Sequence, residues 1–397
     1  MSADPAGSRL APMNSYPAVS RLAPISADTA GSRFGAYLHV PFCTRRCDYC
    51  AFATWTDRFH LLGDYVTACA AEISAAVGRG MPAVDSAFFG GGTPSLLGPT
   101  DLERLIRALP VAEGAEVTVE CNPETVDRAK LAAYRDAGVT RLSFGVQSMR
   151  PPVLAALGRA HDPGSVRRAV AAAGEAGFAA HYSVDLIFGA AGESLADWRR
   201  TLSEVLRLDP APQHVSAYAL TVEAGTPLAR EVARHPDPDD QADKYAVADE
   251  VLGEAGLVWY EISNWARPGA ECRHNRLYWS QGEYLGFGCA AHSHRVDPDA
   301  GTARRWWNVR TPERYIRAIA GASSPEAAGE DLDAAAQRIE GLELALRTRE
   351  GVPEEALPAW GDDPDLAGLV EPAGPGRVAL TLRGRLLASE VALRLAG

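Results

Sequence analysis

Tyr37-Leu-His-Val-Pro-Phe-Cys43-Thr-Arg-Arg-Cys47-Asp-Tyr-Cys50 decides how this chain is read. A β-like run, Tyr37–Pro41, leads into three cysteines spaced C-x3-C-x2-C directly after its C-terminal end. Three thiolates cannot close the four-ligand shell of structural zinc. They can hold three irons of a [4Fe–4S] cluster and leave the fourth iron open to a small molecule. A Cys3His zinc site completed by His39 or His60 is the alternative that spacing alone leaves open.

Outward from this stretch, five more β-like runs follow: Ser86–Gly90, Glu116–Glu120, Arg141–Gly145, His181–Phe188 and His214–Leu220. Amphipathic segments separate them. Leu62, Tyr65, Val66, Cys69, Ile73 and Val77 share one helical face, Thr100 with Glu103 reads as a capping box, and Ser194 opens a helix that Pro210 closes. Strands alternating with helices need crossover connections, so the sheet is predicted to be parallel. An open doubly wound sheet is possible, but a partial barrel of six βα units fits the succession better. In such folds the chemistry gathers at the C-terminal ends of the strands. Cys43, Gly91–Thr93, Asn122, Gln147, Gly189 and Glu223 all follow a predicted strand.

The flanks read differently. Ser-Ala-Asp-Pro-Ala-Gly-Ser-Arg at Ser2 returns at Ser26 with Thr in place of Pro, and Ser-Arg-Leu-Ala-Pro occurs at Ser8 and Ser20. A repeat so poor in apolar surface is expected to be a disordered tail over residues 1–34. Residues 35–262 form the predicted core. Residues 263–330 are irregular and rich in Trp and Tyr, and 331–397 read as a small α/β module, winged-helix-like, closing with a helix over Gly384–Leu395.

The 397 residues are 47% hydrophobic and 23% charged, which suits a folded protein, and 39 basic against 51 acidic side chains leave a net charge of −12. That balance argues against a nucleic-acid binder. No apolar run is long enough to span a bilayer and no signal-peptide pattern opens the chain, so a cytoplasmic location is expected. Seven cysteines, three of them clustered, suit a metal site better than a disulfide framework.

The opening stretch resembles the signature of the radical S-adenosylmethionine superfamily. More narrowly, it resembles the branch containing oxygen-independent coproporphyrinogen III oxidase and the HemW-type heme chaperones. The likeness continues through Phe89-Gly-Gly-Gly-Thr-Pro-Ser95, Glu120-Cys-Asn-Pro123, Arg141-Leu-Ser-Phe-Gly-Val-Gln-Ser148, Leu157-Gly-Arg-Ala-His161, Asp185-Leu-Ile-Phe-Gly189 and Leu220-Thr-Val-Glu-Ala-Gly-Thr-Pro227. It implies a radical SAM partial (β/α)6 barrel with a mixed α/β extension. It implies that Cys43, Cys47 and Cys50 carry the cluster, and that the open iron chelates S-adenosylmethionine, whose reductive cleavage gives a 5′-deoxyadenosyl radical. Gly91, Gly92 and Thr93 would admit the methionine end, Arg159 would pair with its carboxylate, and Glu120, Gln147 and Asp185 would hold ribose or amino groups. Tyr37 would face the cofactor, with Tyr49 and Ala219 at the adenine. Taken singly, these residues have ordinary readings as turns, caps or solvated strand ends; their joint placement at successive strand ends favours the site.

Cys272-Arg-His274-Asn-Arg-Leu-Tyr278-Trp279 resembles the His-Asn-x-x-Tyr-Trp motif of the chaperone members, which implies a heme role for His274. Cys272, Cys289 and His292 are candidates for a second iron ligand. The implied cargo is heme and the implied partners are heme-requiring acceptor proteins, such as membrane respiratory enzymes; a monomer, or a dimer bridged by heme or cluster, is expected. The alternative within the branch is the oxidase, which decarboxylates porphyrinogen propionates. Two departures favour the chaperone: the repeat stands where the oxidase has an ordered N-terminal arm, and Tyr49 stands where the oxidase has Phe.

Overall fold

A computed structural model of the chain describes residues 34–358 and 360–395; the repeat-bearing stretch lies outside them. Six strands, β1 (Phe34–Val40), β2 (Val84–Gly91), β3 (Val111–Cys121), β4 (Arg141–Gln147), β5 (Tyr182–Phe188) and β6 (His214–Ala219), pair in sequence order and in parallel. The helices of this half are α1 (Leu62–Gly78), α2 (Pro99–Ala108), α3 (Arg128–Asp136), α4 (Pro151–Ala156), α5 (Pro163–Ala173), α6 (Leu195–Leu206) and α7 (Pro238–Glu254). They supply the crossovers that parallel strands require.

The side-chain period of two divides this wall into unlike faces. Ala36, Leu38, Val40, Ala87, Phe89, Val117, Val119, Leu142, Phe144, Val184 and Leu186 are fully buried in the apolar core that the helices cover. The alternate positions carry Tyr37, His39, Ser86, Glu120, Ser143, Asp185 and Ser216. In register, Gly35 meets Ser86, Glu120 meets Ser143, and Asp185 meets Ser216. One face is therefore a core and the other is lined for a polar ligand.

The sheet does not stop at six strands. β7 (Val258–Glu261) and β8 (Asn264–Ala266) extend it antiparallel beside β6. After α8 (Arg273–Trp279), β9 (Glu283–Phe287) joins β1 in parallel. Then β10 (His292–Asp297), β11 (Thr302–Asn308) and, beyond α9 (Pro312–Ala320), β12 (Glu326–Leu332) continue antiparallel. The twelve strands run β12-β11-β10-β9-β1-β2-β3-β4-β5-β6-β8-β7, with β12 and β7 at the edges. A partial barrel thus sits inside a mixed sheet. The stretch read as irregular supplies β8 to β12 and two helices, and β10 and β11 carry no apolar alternation that the sequence could show.

The C-terminal part has its own core. α10 (Ala334–Leu346) packs with β13 (Val352–Pro353), β14 (Val370–Gly374) and β15 (Arg377–Leu380), a three-stranded antiparallel sheet, and with α11 (Leu382–Leu386) and α12 (Ala388–Ala392). The single helix expected over Gly384–Leu395 is broken at Leu387, whose φ of −115° leaves the helical region.

Two local readings are also corrected. The helix starting near Thr100 begins at Pro99 with Gly98 at its N-cap, and no side chain caps it. Pro at the first helical turn needs no donor, so the start is set without the box; Glu103 instead pairs with Arg107. In α1, Val77 is 39% exposed while Ala76 is buried, so the apolar stripe ends one position earlier than predicted.

Candidate functional site

The cysteine loop is closed on itself before any ligand is considered. Phe42 pairs with Trp55, the Cys43 amide donates to the Trp55 carbonyl at 3.1 Å, and the Trp55 amide donates to the Pro41 carbonyl at 2.7 Å. Cys43, Cys47 and Cys50 are all free and partly exposed on this loop. Burial raises the Cys43 thiol to about 11, a contact with Thr93 opposing the shift, and burial also raises Cys50. Such thiols ligate only as thiolates, so metal must displace their protons. Among the described residues no three His, Cys, Asp or Glu side chains converge on one ion position. A four-iron cluster takes each thiolate at a separate corner instead.

The ends of β2, β3 and β4 reach this loop through one connected network. Cys43 Sγ lies 3.5 Å from Thr93 Oγ1, and the Asn122 amide side chain donates to the same oxygen at 3.1 Å. Arg159 donates to Asn122 Oδ1 at 2.7 Å, to the Gly145 carbonyl at 2.9 Å and to Cys47 Sγ at 3.4 Å, while its buried Nε has no partner. A guanidinium held against a cluster cysteine with a donor to spare fits an anion-binding role. Gly92 explains itself by close approach. A Cβ there would stand 2.7 Å from the Phe42 carbonyl oxygen, 2.9 Å from that of Val40 and 3.1 Å from Cys43 Sγ. Only glycine lets β2 end this near the cysteine loop.

Glu120 and Asp185 sit deeper on the polar face. The Gly91 amide donates to Glu120 at 3.1 Å, and Asp185 accepts from Ser143 at 2.6 Å and Ser216 at 2.7 Å. Burial pushes the Glu120 carboxyl up to about 8, with Asp185 adding repulsion, and burial also raises Asp185. Two desolvated carboxyl groups aimed into one lumen are suited to hydroxyl or amino donors of a ligand. Gln147 ends β4 at φ +63° beside a bulge, a strained backbone for a side chain of its kind, and strain of this sort gathers at functional sites.

Tyr37 and His39 form the next layer. The His39 Nε2–H donates to the Ala53 carbonyl at 2.9 Å, which leaves Nδ1 to accept from the Tyr37 hydroxyl at 3.1 Å. Burial lowers His39 to about 4, so the ring is neutral. Tyr49 packs on the apolar cluster of Val153, Leu157 and Leu220, and Ala219 is exposed at the end of β6.

Tyr37 and Ala51–Ala53 also line a cavity of about 850 Å³ that extends under β9–β11, with Tyr278, Tyr284, His292, Arg305, Trp307, Arg310 and Arg314 among its walls. His274 stands behind it. The ring is buried, stacks on Phe88 at 5.3 Å, and has both nitrogens engaged: Nδ1 with Ser86 Oγ at 3.0 Å and Nε2 with the Tyr278 hydroxyl at 2.8 Å. Burial lowers it to about 3. Glu116 anchors the start of α8, accepting from the His274 amide and the Cys272 thiol. Cys272 and Cys289 are buried, the latter within reach of the Tyr65 hydroxyl. Asn122 and the β9–β11 cavity wall escaped the sequence reading as ligand-facing parts. Asn122 was legible only as a strand-end residue, and the cavity wall only as a concentration of aromatics with His292 as a candidate iron ligand.

Residues 37–205 match the model of the radical SAM superfamily. The chain is 44% identical over 388 residues to the heme chaperone HemW of Mycobacterium tuberculosis, covering 92% of this chain and 96% of that protein. It is 36% identical to the HemW of Synechocystis, covering 82% and 80%. Among solved structures, coproporphyrinogen III oxidase (HemN) from Escherichia coli superposes with a TM-score of 0.75 at 22% identity, covering 91% of this chain and 89% of that one, which is a likeness of fold. No helix among the described residues is long and apolar enough to cross a membrane.

Proposed function

The chain belongs to the radical SAM superfamily and, within it, to the HemW family, and on that premise we propose that it is a heme chaperone. It carries heme as cargo and passes it to heme-requiring acceptor proteins. Cys43, Cys47 and Cys50 would hold a [4Fe–4S] cluster, beside which S-adenosylmethionine would bind. When bound, the cluster supplies the electron that sulfonium cleavage requires.

The chain's own residues do the rest. Arg159 pairs with the methionine carboxylate through its planar fork. Gly91, Gly92 and Thr93 let the backbone approach the methionine end. Glu120, Gln147 and Asp185 take the ribose and amino groups, Tyr37 covers the cofactor, and Tyr49 and Ala219 flank the adenine. His274 serves the heme side by holding Tyr278 in the cavity wall.

The observation that carries this reading is the cavity itself. Its 850 Å³ lies within the range of about 300–1,000 Å³ for ligand pockets, and Tyr37 with Ala51–Ala53 joins it to the cluster loop. A flat macrocycle suits aromatic walls, and its carboxylates suit the arginines. The test is anaerobic reconstitution, assay of iron and sulfide, then hemin titration of the same sample. The protein is expected to bind four irons and stoichiometric heme, and Cys43→Ala, Cys47→Ala and Cys50→Ala are each expected to lose the visible thiolate-to-iron absorption. Conversion of coproporphyrinogen by the reconstituted protein, with no heme uptake, would make it an oxidase instead.

A further inference from the structure

Resting on the heme reading above, we propose that the heme iron in this chain is ligated by the imidazole of His292, with the heme carboxylates held by Arg310 and Arg314. The choice follows from which nitrogens are free. A ring nitrogen already engaged in a hydrogen bond must break it before it can ligate iron. His39 has both nitrogens committed, to Tyr37 and to Ala53, and His274 has both committed, to Ser86 and to Tyr278. His294 also lines the cavity and donates from Nδ1 to the Gly282 carbonyl at 3.0 Å; its Nε2 has no partner but is buried away from solvent. Cys272 and Cys289 are buried.

His292 differs from all of these. It is an exposed residue on the cavity wall, and neither ring nitrogen has a hydrogen-bond partner among the described residues. Its ring lies at 5.5 Å and 27° to Trp307, a stacking contact that fixes the imidazole plane without consuming a nitrogen.

The carboxylate end has a similar logic. Arg304 and Arg305 are paired with Glu326, Glu330 and Glu340. Arg310 and Arg314 line the same cavity and form no ion pair among the described residues. They flank the N-terminus of α9, where Thr311 leaves the first-turn amides without a side-chain cap. Two free guanidinium groups beside the positive end of a helix complement a ligand bearing two carboxylates.

The experiment titrates the full-length, reconstituted protein with hemin and reads the Soret band and low-temperature electron paramagnetic resonance. His292→Ala is expected to change the axial-ligand signature, and added imidazole is expected to restore it. His294→Ala should keep the wild-type ligand signature in whatever fraction folds. Arg310→Ala with Arg314→Ala should weaken heme affinity roughly tenfold while leaving that signature unchanged. A His292→Ala spectrum identical to wild type, or loss of the signature in His294→Ala instead, overturns the assignment. Failure of the wild-type protein to take up heme at all would defeat the heme reading, and the assignment with it.

Discussion

Arg159 reaches Asn122, the Gly145 carbonyl and Cys47 from two nitrogens of one guanidinium. Lysine would keep the charge and lose the fork. A charge-assisted hydrogen bond contributes about 1.5–3 kcal/mol, so Arg159→Lys should weaken S-adenosylmethionine binding by roughly ten- to a hundredfold. Calorimetric titration of the reconstituted variant measures this, and an unchanged dissociation constant would remove Arg159 from the cofactor's carboxylate. The type of this residue was readable from its motif. Its dependence on Asn122 was not, since 37 positions separate the pair.

Helix ends show the same division at the next scale. Ser194 accepts from the Asp197 amide at 3.1 Å while Asp197 reaches back to the Ser194 amide, a complete capping box for α6. Ser194→Ala should therefore lower stability by about 1 kcal/mol, within the range of about 0.5–2 kcal/mol for lost caps, as read from urea denaturation. A loss below a few tenths of a kcal/mol would mean that packing of Trp198 and Leu202, not the cap, sets the start of α6. Thr100 with Glu103 carries an equally good sequence signal and caps nothing, because Pro99 starts α2 one residue earlier. Local chemistry names the kinds of residue that can cap; the chain's path chooses among them. Strands β10 and β11 went unread for a related reason. Their cross-strand pairs, such as Arg295 with Arg304 and His292 with Trp307, offer no apolar alternation to detect.

At the scale of the whole molecule, two sets of buried groups pull stability in opposite directions with pH. His39 and His274 titrate at about 4 and about 3 in the fold, below the unfolded value of 6.5, because burial disfavours the imidazolium. Their contribution is intact above pH 6.5 and is lost as the pH falls through these values. Glu120 and Glu261 are raised by burial to about 8, from 4.5. Theirs is intact below pH 4.5 and is lost as the pH rises through 8. Each group contributes a slope of up to about 1.4 kcal/mol per pH unit within its window. The metal-free protein should accordingly be most stable between pH 4.5 and 6.5. Glu261→Gln should flatten the alkaline decline in urea midpoints measured from pH 6.5 to 8.5; an unaltered slope would mean that Glu261 is solvated.

The succession of six parallel strands, the cysteine loop after the first and the candidate site residues at the strand ends were legible in the sequence alone. Each rests on local spacing: a period of two, a helix between strands, a C-x3-C-x2-C triplet. What the tertiary structure decided is which of those residues meet. The polar face joins Glu120 to Asp185 across strands, and the extension of β9 to β12 beside β1 builds the cavity. The packing of α8 against β2 commits His274 Nδ1 to Ser86, Tyr278 of the same helix takes Nε2, and the ring of His292 on β10 makes no such bond among the described residues. Such pairings join positions far apart in the chain, 188 residues for Ser86 and His274, and no local pattern encodes them.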